Sequence, residues 1–258
     1  MAYPMDISLF LSAARPKWWK RMYKSLLGNK CEWEIVAVGP NEPDFDLPVN
    51  FRFYKCDFKP TQCYAAASYF CKGELIGYIA DDATYGLNAL DMIWEDYLVH
   101  GKKTILTQRT IENDKDVTDE HYFFRHNKTT PQMAPMAFFN REWFWELGGY
   151  DRNFISGQAE NDLVMRAYQD GGKIVEVFNS KVFLNHEEVH GGFLNKLKYK
   201  FGKNSFRSGY WDDRRYLEEC WVLSNGEISK TRLLPLHPFN YENILTVAQG
   251  PTGRWGKK

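Results

Sequence analysis

Two adjacent carboxylates, Asp81 and Asp82, follow the segment Gly73 to Ala80, which reads GELIGYIA. Leu75 to Ala80 is apolar and of strand length, so the acids are expected at the strand's C-terminal end, where open α/β sheets bind ligands. Paired acids there suit a hard divalent cation, Mg²⁺ or Mn²⁺, which takes oxygen ligands and shares them with substrate phosphates. Taken alone, the dipeptide has a plainer reading, in which Asp81 opens a turn and Asp82 caps a helix starting near Leu87. Two further residues could do chemistry with them. Glu160 stands where a helix begins, and His186 follows a late apolar strand. Each has a structural alternative: Glu160 suits the helix dipole, and His190 competes with His186.

The elements that must position these residues alternate. Ile7 to Ser12 is a continuous apolar run, the mark of a strand buried on both faces. Pro16 then opens a helix carrying Trp18, Trp19, Met22, Leu26 and Leu27 up to Gly28. Trp33 to Val38 and Phe51 to Tyr54 are strands, and Thr61 to Lys72 is an Ala-rich helix stopped by Gly73. With Leu75 to Ala80 this makes a nucleotide-binding α/β half with a parallel sheet. Ala89 to His100 reads as a helix, Lys103 to Arg109 as a strand, and Glu112 to Thr130 as a polar loop. Ala134 to Phe139 is apolar. Arg141 to Leu147 and Glu160 to Asp170 are helices, each closed by a Gly-Gly pair. Lys173 to Val177 and Lys181 to Leu184 are short strands. Between Val189 and Trp211 lie Lys196, Lys198, Lys200, Lys203 and Arg207 and no acid. That basic stretch is either a solvated helix face or a lid meeting a diphosphate or an anionic membrane surface.

Composition narrows the classes. The chain has 258 residues, 44% hydrophobic and 26% charged, with zero formal net charge. That balance argues against a broad nucleic-acid surface. No apolar run is long enough to span a bilayer, and the N-terminus lacks a signal-peptide pattern. The five cysteines form no Cys-x-x-Cys pair, which fits free thiols in a reducing cytoplasm. A cytoplasmic protein, with room for peripheral membrane contact, is the expectation.

From about Ile7 to His190 the chain resembles the family 2 glycosyltransferases of GT-A fold. ISLFLSAARP with KSLL is similar to that family's opening strand and Thr-Tyr-Asn-Arg-Pro turn, and KGELIGYIADD to its Gly-Glu-strand-Asp-Asp block. The most specific piece, FFNREWFWELGGYDRNFISGQAENDLVMRAYQDGGKI, looks like the acceptor-side block with its Gly-Gly, Glu-Asp-x-Asp-Leu and Arg positions. The resemblance implies a mixed, mostly parallel sheet flanked by helices. A GT-A domain would cover residues 1–190, its nucleotide-sugar half 1–100 and acceptor half 101–190, with a basic, aromatic extension at 191–258 packed on the same domain. It implies a metal-dependent, inverting transfer from a UDP- or GDP-sugar to an acceptor hydroxyl on a glycan, lipid-linked glycan or glycoprotein. Asp82 and His186 would hold Mn²⁺ or Mg²⁺. Ser12, Ala13, Arg15, Asn41 and Asp81 would line the donor pocket, and Glu160, rather than Asp162, would be the base. The chain departs from the family pattern at Ser12-Ala13-Ala14-Arg15, at Gly39 to Glu42 and at Cys63-Tyr64-Ala65, all on the nucleobase side. A non-catalytic nucleotide-sugar-binding module is the alternative. A sugar nucleotidyltransferase ranks lower, because the turn after the first strand has no glycine to cradle a triphosphate.

Overall fold

The computed structural model describes residues 5–185 and 209–237. His186, His190 and the basic stretch from Lys196 to Arg207 lie outside the described residues.

Strand β1 (Ile7–Ser12) is buried along its whole length, as its unbroken apolar run requires. Its side chains alternate between two cores. Ile7, Leu9 and Leu11 face one and Phe10 faces the other, and β2 (Trp33–Gly39) splits Ile35 and Ala37 from Val36 and Val38 in the same way. The first core receives Trp19, Met22 and Leu26 of α1 (Trp19–Leu26), which follows a 3₁₀ turn at Pro16–Trp18. It also receives Leu90 and Ile93 of α3 (Ala89–His100). The second core is covered by α2 (Pro60–Tyr69), α4 (Arg141–Glu146), α5 (Ala159–Gln169) and α6 (Tyr210–Trp221). Helices therefore cover both faces of one sheet.

Along that sheet, β3 (Phe51–Lys55), β2, β1 and β4 (Leu75–Tyr78) run parallel, in that order. The sheet continues through β8 (Phe138–Asn140), antiparallel to β4, to β6 (Thr104–Glu112), parallel to β9 (Lys173–Leu184), and ends at β5 (Thr84–Tyr85). A short β7 (Lys115–Asp116) folds back on β6. The sheet is mixed and mostly parallel, as expected.

Several boundaries differ from the sequence reading; β4 stops at Tyr78 and α2 at Tyr69, short of Ala80 and Lys72. The strand expected to end at Arg109 runs on to Glu112, because β7 and β9 both offer it partners. The two strands expected between Lys173 and Leu184 are one. Gln108 pairs with Val177 but Arg109 pairs with Lys181, so Phe178 to Ser180 form a bulge, and their break in apolar pattern marks it. The expected loop from Glu112 contains β7 and a 3₁₀ turn at Thr118–Glu120 before turning irregular.

Candidate functional site

Asp81 and Asp82 are the central residues of a turn closed by the Ala83 N–H on the Ala80 carbonyl, just past β4. β5 follows at once, and the N-cap position of α3 belongs to Asn88, so Asp82 does not cap that helix. Both carboxylates are only 2% exposed. What brings ligands to Asp81 is the turn after β1. The backbone N–H groups of Ala14 and Arg15 donate to its Oδ2 at 3.0 and 2.7 Å. Arg15 Nε donates to Oδ1 at 2.8 Å, and Nη2 of the same guanidinium also reaches Oδ1. Burial pushes the Asp81 carboxyl up, and neighbouring Asp82 adds to this, while Arg15 pulls against it.

Asp82 is placed differently. Arg15 Nη1 lies 2.7 Å from its Oδ2, an ion pair whose alignment makes no hydrogen bond, and that buried oxygen accepts none among the described residues. Arg21, on α1 and stacked 4.4 Å over Trp18, donates to the Asp82 backbone carbonyl at 3.2 Å. The hydroxyl of Tyr85, whose side chain is buried, also has no hydrogen-bond partner among the described residues. Burial raises its pKa well above the usual range, helped by Tyr78 and Asp82. A buried carboxylate oxygen without a hydrogen bond is unusual, since buried polar groups are normally satisfied. Such an oxygen is the kind of hard donor a divalent cation takes, although among the described residues no group of three or more His, Cys, Asp or Glu side chains gathers to hold one.

The other donor-side residues gather around the same turn. Ser12 ends β1 and is buried, and Ala13 donates its N–H to Val38 at 2.8 Å. Asn41 Nδ2 donates to the Ala14 carbonyl at 2.7 Å. Only glycine fits at position 39, because a Cβ there would stand 2.1 Å from the Ala13 carbonyl oxygen. Arg21, Thr84, Asn113 and Asn185 line a cavity of about 420 Å³ beside the turn. The Thr84–Phe183 pairing places the end of β9, just before His186, against β5 two residues past Asp82.

Glu160 is held on another wall. It lies in the first turn of α5, partly exposed, and accepts a hydrogen bond from Tyr64 Oη at 2.9 Å. Tyr64 packs its ring 4.8 Å from Tyr78, the last residue of β4, so this contact links Glu160 to the strand that carries the acids. Glu160 lines a cavity of about 660 Å³ with Glu112, His121, Arg125, Tyr210 and Trp211. The two cavities meet the end of β6 from different sides, Glu112 in one and Ile111 and Asn113 in the other. His121 Nε2 is buried and makes no hydrogen bond among the described residues, and burial lowers the imidazole pKa from 6.5.

Asp162 has a structural place. It is fully buried, pairs with Arg166 Nε at 2.9 Å, and accepts from Trp221 Nε1 at 2.8 Å. Arg166 in turn bonds the carbonyls of Leu147 and Gly149, so the Asp-x-x-x-Arg pair clamps the Gly-Gly turn after α4.

Sequence reasoning missed Asp213. It is fully buried on α6, and its Oδ2 accepts from the backbone N–H groups of Ile155, Ser156 and Gly157 at 3.0, 2.6 and 3.0 Å. Tyr210 accepts from Gln158 Nε2 at 2.7 Å, and its ring would stand 2.9 Å from a Cβ on Gly157. Gln158, the residue before α5, holds a positive φ of 68°. The loop that aims Glu160 is thus gripped by a helix far along the chain. The local hint was the Asp-Asp pair at the start of α6, next to aromatic residues.

No family model matches the sequence, and no curated protein matches it. Solved structures do resemble it. A fragment of S. aureus TarS, residues 1–349, superposes with a TM-score of 0.57 at 12% identity, over 71% of this chain and 61% of that one. The same protein in complex with UDP-GlcNAc gives 0.55 at 13% identity, covering 70% and 58%. GalNAc-T7 with UDP, GalNAc and Mn²⁺ gives 0.54 at 14% identity, covering 84% of this chain and 51% of that one. The chain thus spans less than two thirds of each of these proteins, and at such identities the likeness establishes the fold, GT-A.

Proposed function

We propose that this chain is a metal-dependent glycosyltransferase of the family 2 type, moving a sugar from a nucleoside-diphosphate sugar to an acceptor hydroxyl with inversion. The observation that carries the reading is Asp82, a buried carboxylate whose Oδ2 faces Arg15 and accepts no hydrogen bond among the described residues, in a turn at the C-terminal ends of the parallel strands. In a sheet of this kind the ligand crevice lies at those ends. Asp82, with His186 beyond the described residues, would hold Mn²⁺ or Mg²⁺. Such a cation neutralises a departing diphosphate as a Lewis acid.

The chain's own residues supply the rest. Arg15 and Arg21 meet the donor's phosphates, and Ser12, Ala13 and Asn41 shape the pocket around them. Asp81 fixes the β1 turn, through which it bears on donor binding. An acceptor seated in the cavity of about 660 Å³ presents a hydroxyl to Glu160. The Tyr64 hydroxyl on Glu160 Oε2 orients that carboxylate. Glu160 takes the hydroxyl proton as the acceptor oxygen bonds the anomeric carbon, and the bond to the diphosphate oxygen breaks with its electron pair. Tyr210 and Trp211 offer aromatic faces of the sort that pack on sugar rings, so the acceptor is read as a glycan, free or lipid-linked. A uridine sugar is the first donor to test, because TarS and GalNAc-T7 are known with UDP or UDP-GlcNAc. No helix among the described residues is long and apolar enough to cross a membrane.

Melting temperature measured against a panel of sugar nucleotides, with and without Mn²⁺, tests the reading, since a ligand of the native state stabilises it in proportion to RT ln(1 + [L]/Kd). A stabilising donor that needs Mn²⁺, with the effect lost in Asp82→Ala, is the expected result. Full metal-dependent transfer by Asp82→Ala would overturn it.

A further inference from the structure

We propose that Arg15 couples the cation to the diphosphate. Its guanidinium spans Asp81 and Asp82, leaves Asp82 when a divalent cation arrives, and turns to the donor's diphosphate, so that metal and nucleotide bind cooperatively. This rests on the glycosyltransferase reading above and says how its two charged ligands are made to arrive together.

The two carboxylates do not share Arg15 equally. Asp81 holds Arg15 by its backbone N–H as well as by Nε and Nη2, and holds Ala14 too. Among the described residues the Asp82 carboxylate has only Nη1, at 2.7 Å and out of hydrogen-bond alignment. The contact to Asp82 is therefore the one that can be given up while the turn stays in place. The carboxylates are 2% exposed but the Arg15 side chain is 26% exposed, so the guanidinium lies on the open side of the acids, where a ligand would approach.

Charge makes the exchange reciprocal. A guanidinium keeps its proton at any pH at which the protein folds. A divalent ion placed on Asp82 with Arg15 still against it sets like charges side by side, which opposes metal binding alone. A diphosphate removes that opposition, because its oxygens accept the guanidinium's fork of N–H groups bidentately. A nucleotide arriving without metal finds Arg15 still engaged by Asp82. Each ligand therefore lowers the cost of the other, and linkage requires the two effects to be equal.

The test is calorimetric titration of the full chain with MnCl₂, alone and with whichever of UDP or GDP raises the melting temperature most, for wild type, Arg15→Ala and Arg15→Lys. In wild type the nucleotide should tighten Mn²⁺ by about tenfold or more, and Mn²⁺ should tighten the nucleotide by the same factor. Arg15→Ala should bind Mn²⁺ alone more tightly than wild type, bind the nucleotide more weakly and keep only the smaller coupling that direct contact between cation and diphosphate supplies. Should circular dichroism show that variant unfolded, Arg15→Lys decides, because a single ammonium cannot replace the fork and the coupling must fall. Coupling and Mn²⁺ affinity unchanged in the folded variants would overturn the role of Arg15 and leave the glycosyltransferase reading standing. If wild type bound neither Mn²⁺ nor nucleotide, both would fall.

Discussion

Glu160 and Asp162 are both acids in the first turn of α5, and what separates them is what each touches. Asp162 is fully buried between Arg166 and Trp221, whereas Glu160 meets a cavity and a single tyrosine hydroxyl. Replacing Glu160 with Gln keeps the Tyr64 contact and removes the base. Transfer should fall by about 10²–10⁴-fold in kcat while the melting shift caused by the donor and Mn²⁺ is kept. Asp162→Asn should instead lower stability and leave Arg166 and Arg232 short of a partner, seen as an earlier denaturant midpoint. His121 makes a prediction in pH. Burial lowers its folded pKa below 6.5, so the unfolded chain binds the extra proton. Its contribution to stability is whole above pH 6.5 and is lost as pH falls through that value toward the lower folded pKa. The slope of unfolding free energy against pH between about 7 and 5 should therefore flatten in His121→Gln.

At the scale of elements, the site depends on two loops that strands and helices hold from outside. The β1 turn is seated by Asp81, Asn41 and the close approach at Gly39. Gly39→Ala would drive a methyl into the Ala13 carbonyl, costing about 1–3 kcal/mol by overpacking. Because Ala13 leads directly into Arg15, the nucleotide's melting shift should shrink in the same variant. The loop before α5 is seated by Asp213, whose charged oxygen satisfies three successive backbone N–H groups. Asp213→Asn should cost about 1.5–3 kcal/mol, the range for hydrogen bonds to a charged group. It should also lower kcat more than it raises the acceptor KM, since the loop aims Glu160 rather than binding the acceptor. An unchanged kcat in a folded Asp213→Asn protein would show that the loop holds its shape without the charge.

For the whole molecule, residues 209–237 belong to the core. Leu217, Cys220 and Trp221 of α6 are fully buried in the same core as Phe10 of β1 and Trp143 of α4. Arg232 reaches back to pair with Asp151, and Leu233 donates its N–H to the Cys220 carbonyl at 2.8 Å. Burying a large apolar side chain contributes roughly 1.5–3 kcal/mol. Losing several of these from a domain stable by about 5–15 kcal/mol should leave little folded protein. Truncation after Ser208 should therefore give a chain with no cooperative unfolding transition, whereas a lid-like extension would be removed without loss of the transition.

The strand-helix order and the Asp-Asp turn past β4 were legible in the sequence because local rules govern them, and the GT-A sheet was legible through the resemblance of its motifs. Apolar runs of strand length, proline and glycine at element ends, and acids after a buried strand act over a few residues. The join of Lys173 to Leu184 into one bulged strand was not legible, since only pairing with β6 decides it. Nor was the difference between Asp81, bound to the β1 turn, and Asp82, whose carboxylate pairs with Arg15, because residues 15 and 81 are neighbours in space alone. The grip of Asp213 on the loop before Glu160 joins positions 56 to 58 residues apart in the same way. Periodicity places side chains on a face, but which partner a buried charge finds across the fold is settled only when distant elements pack.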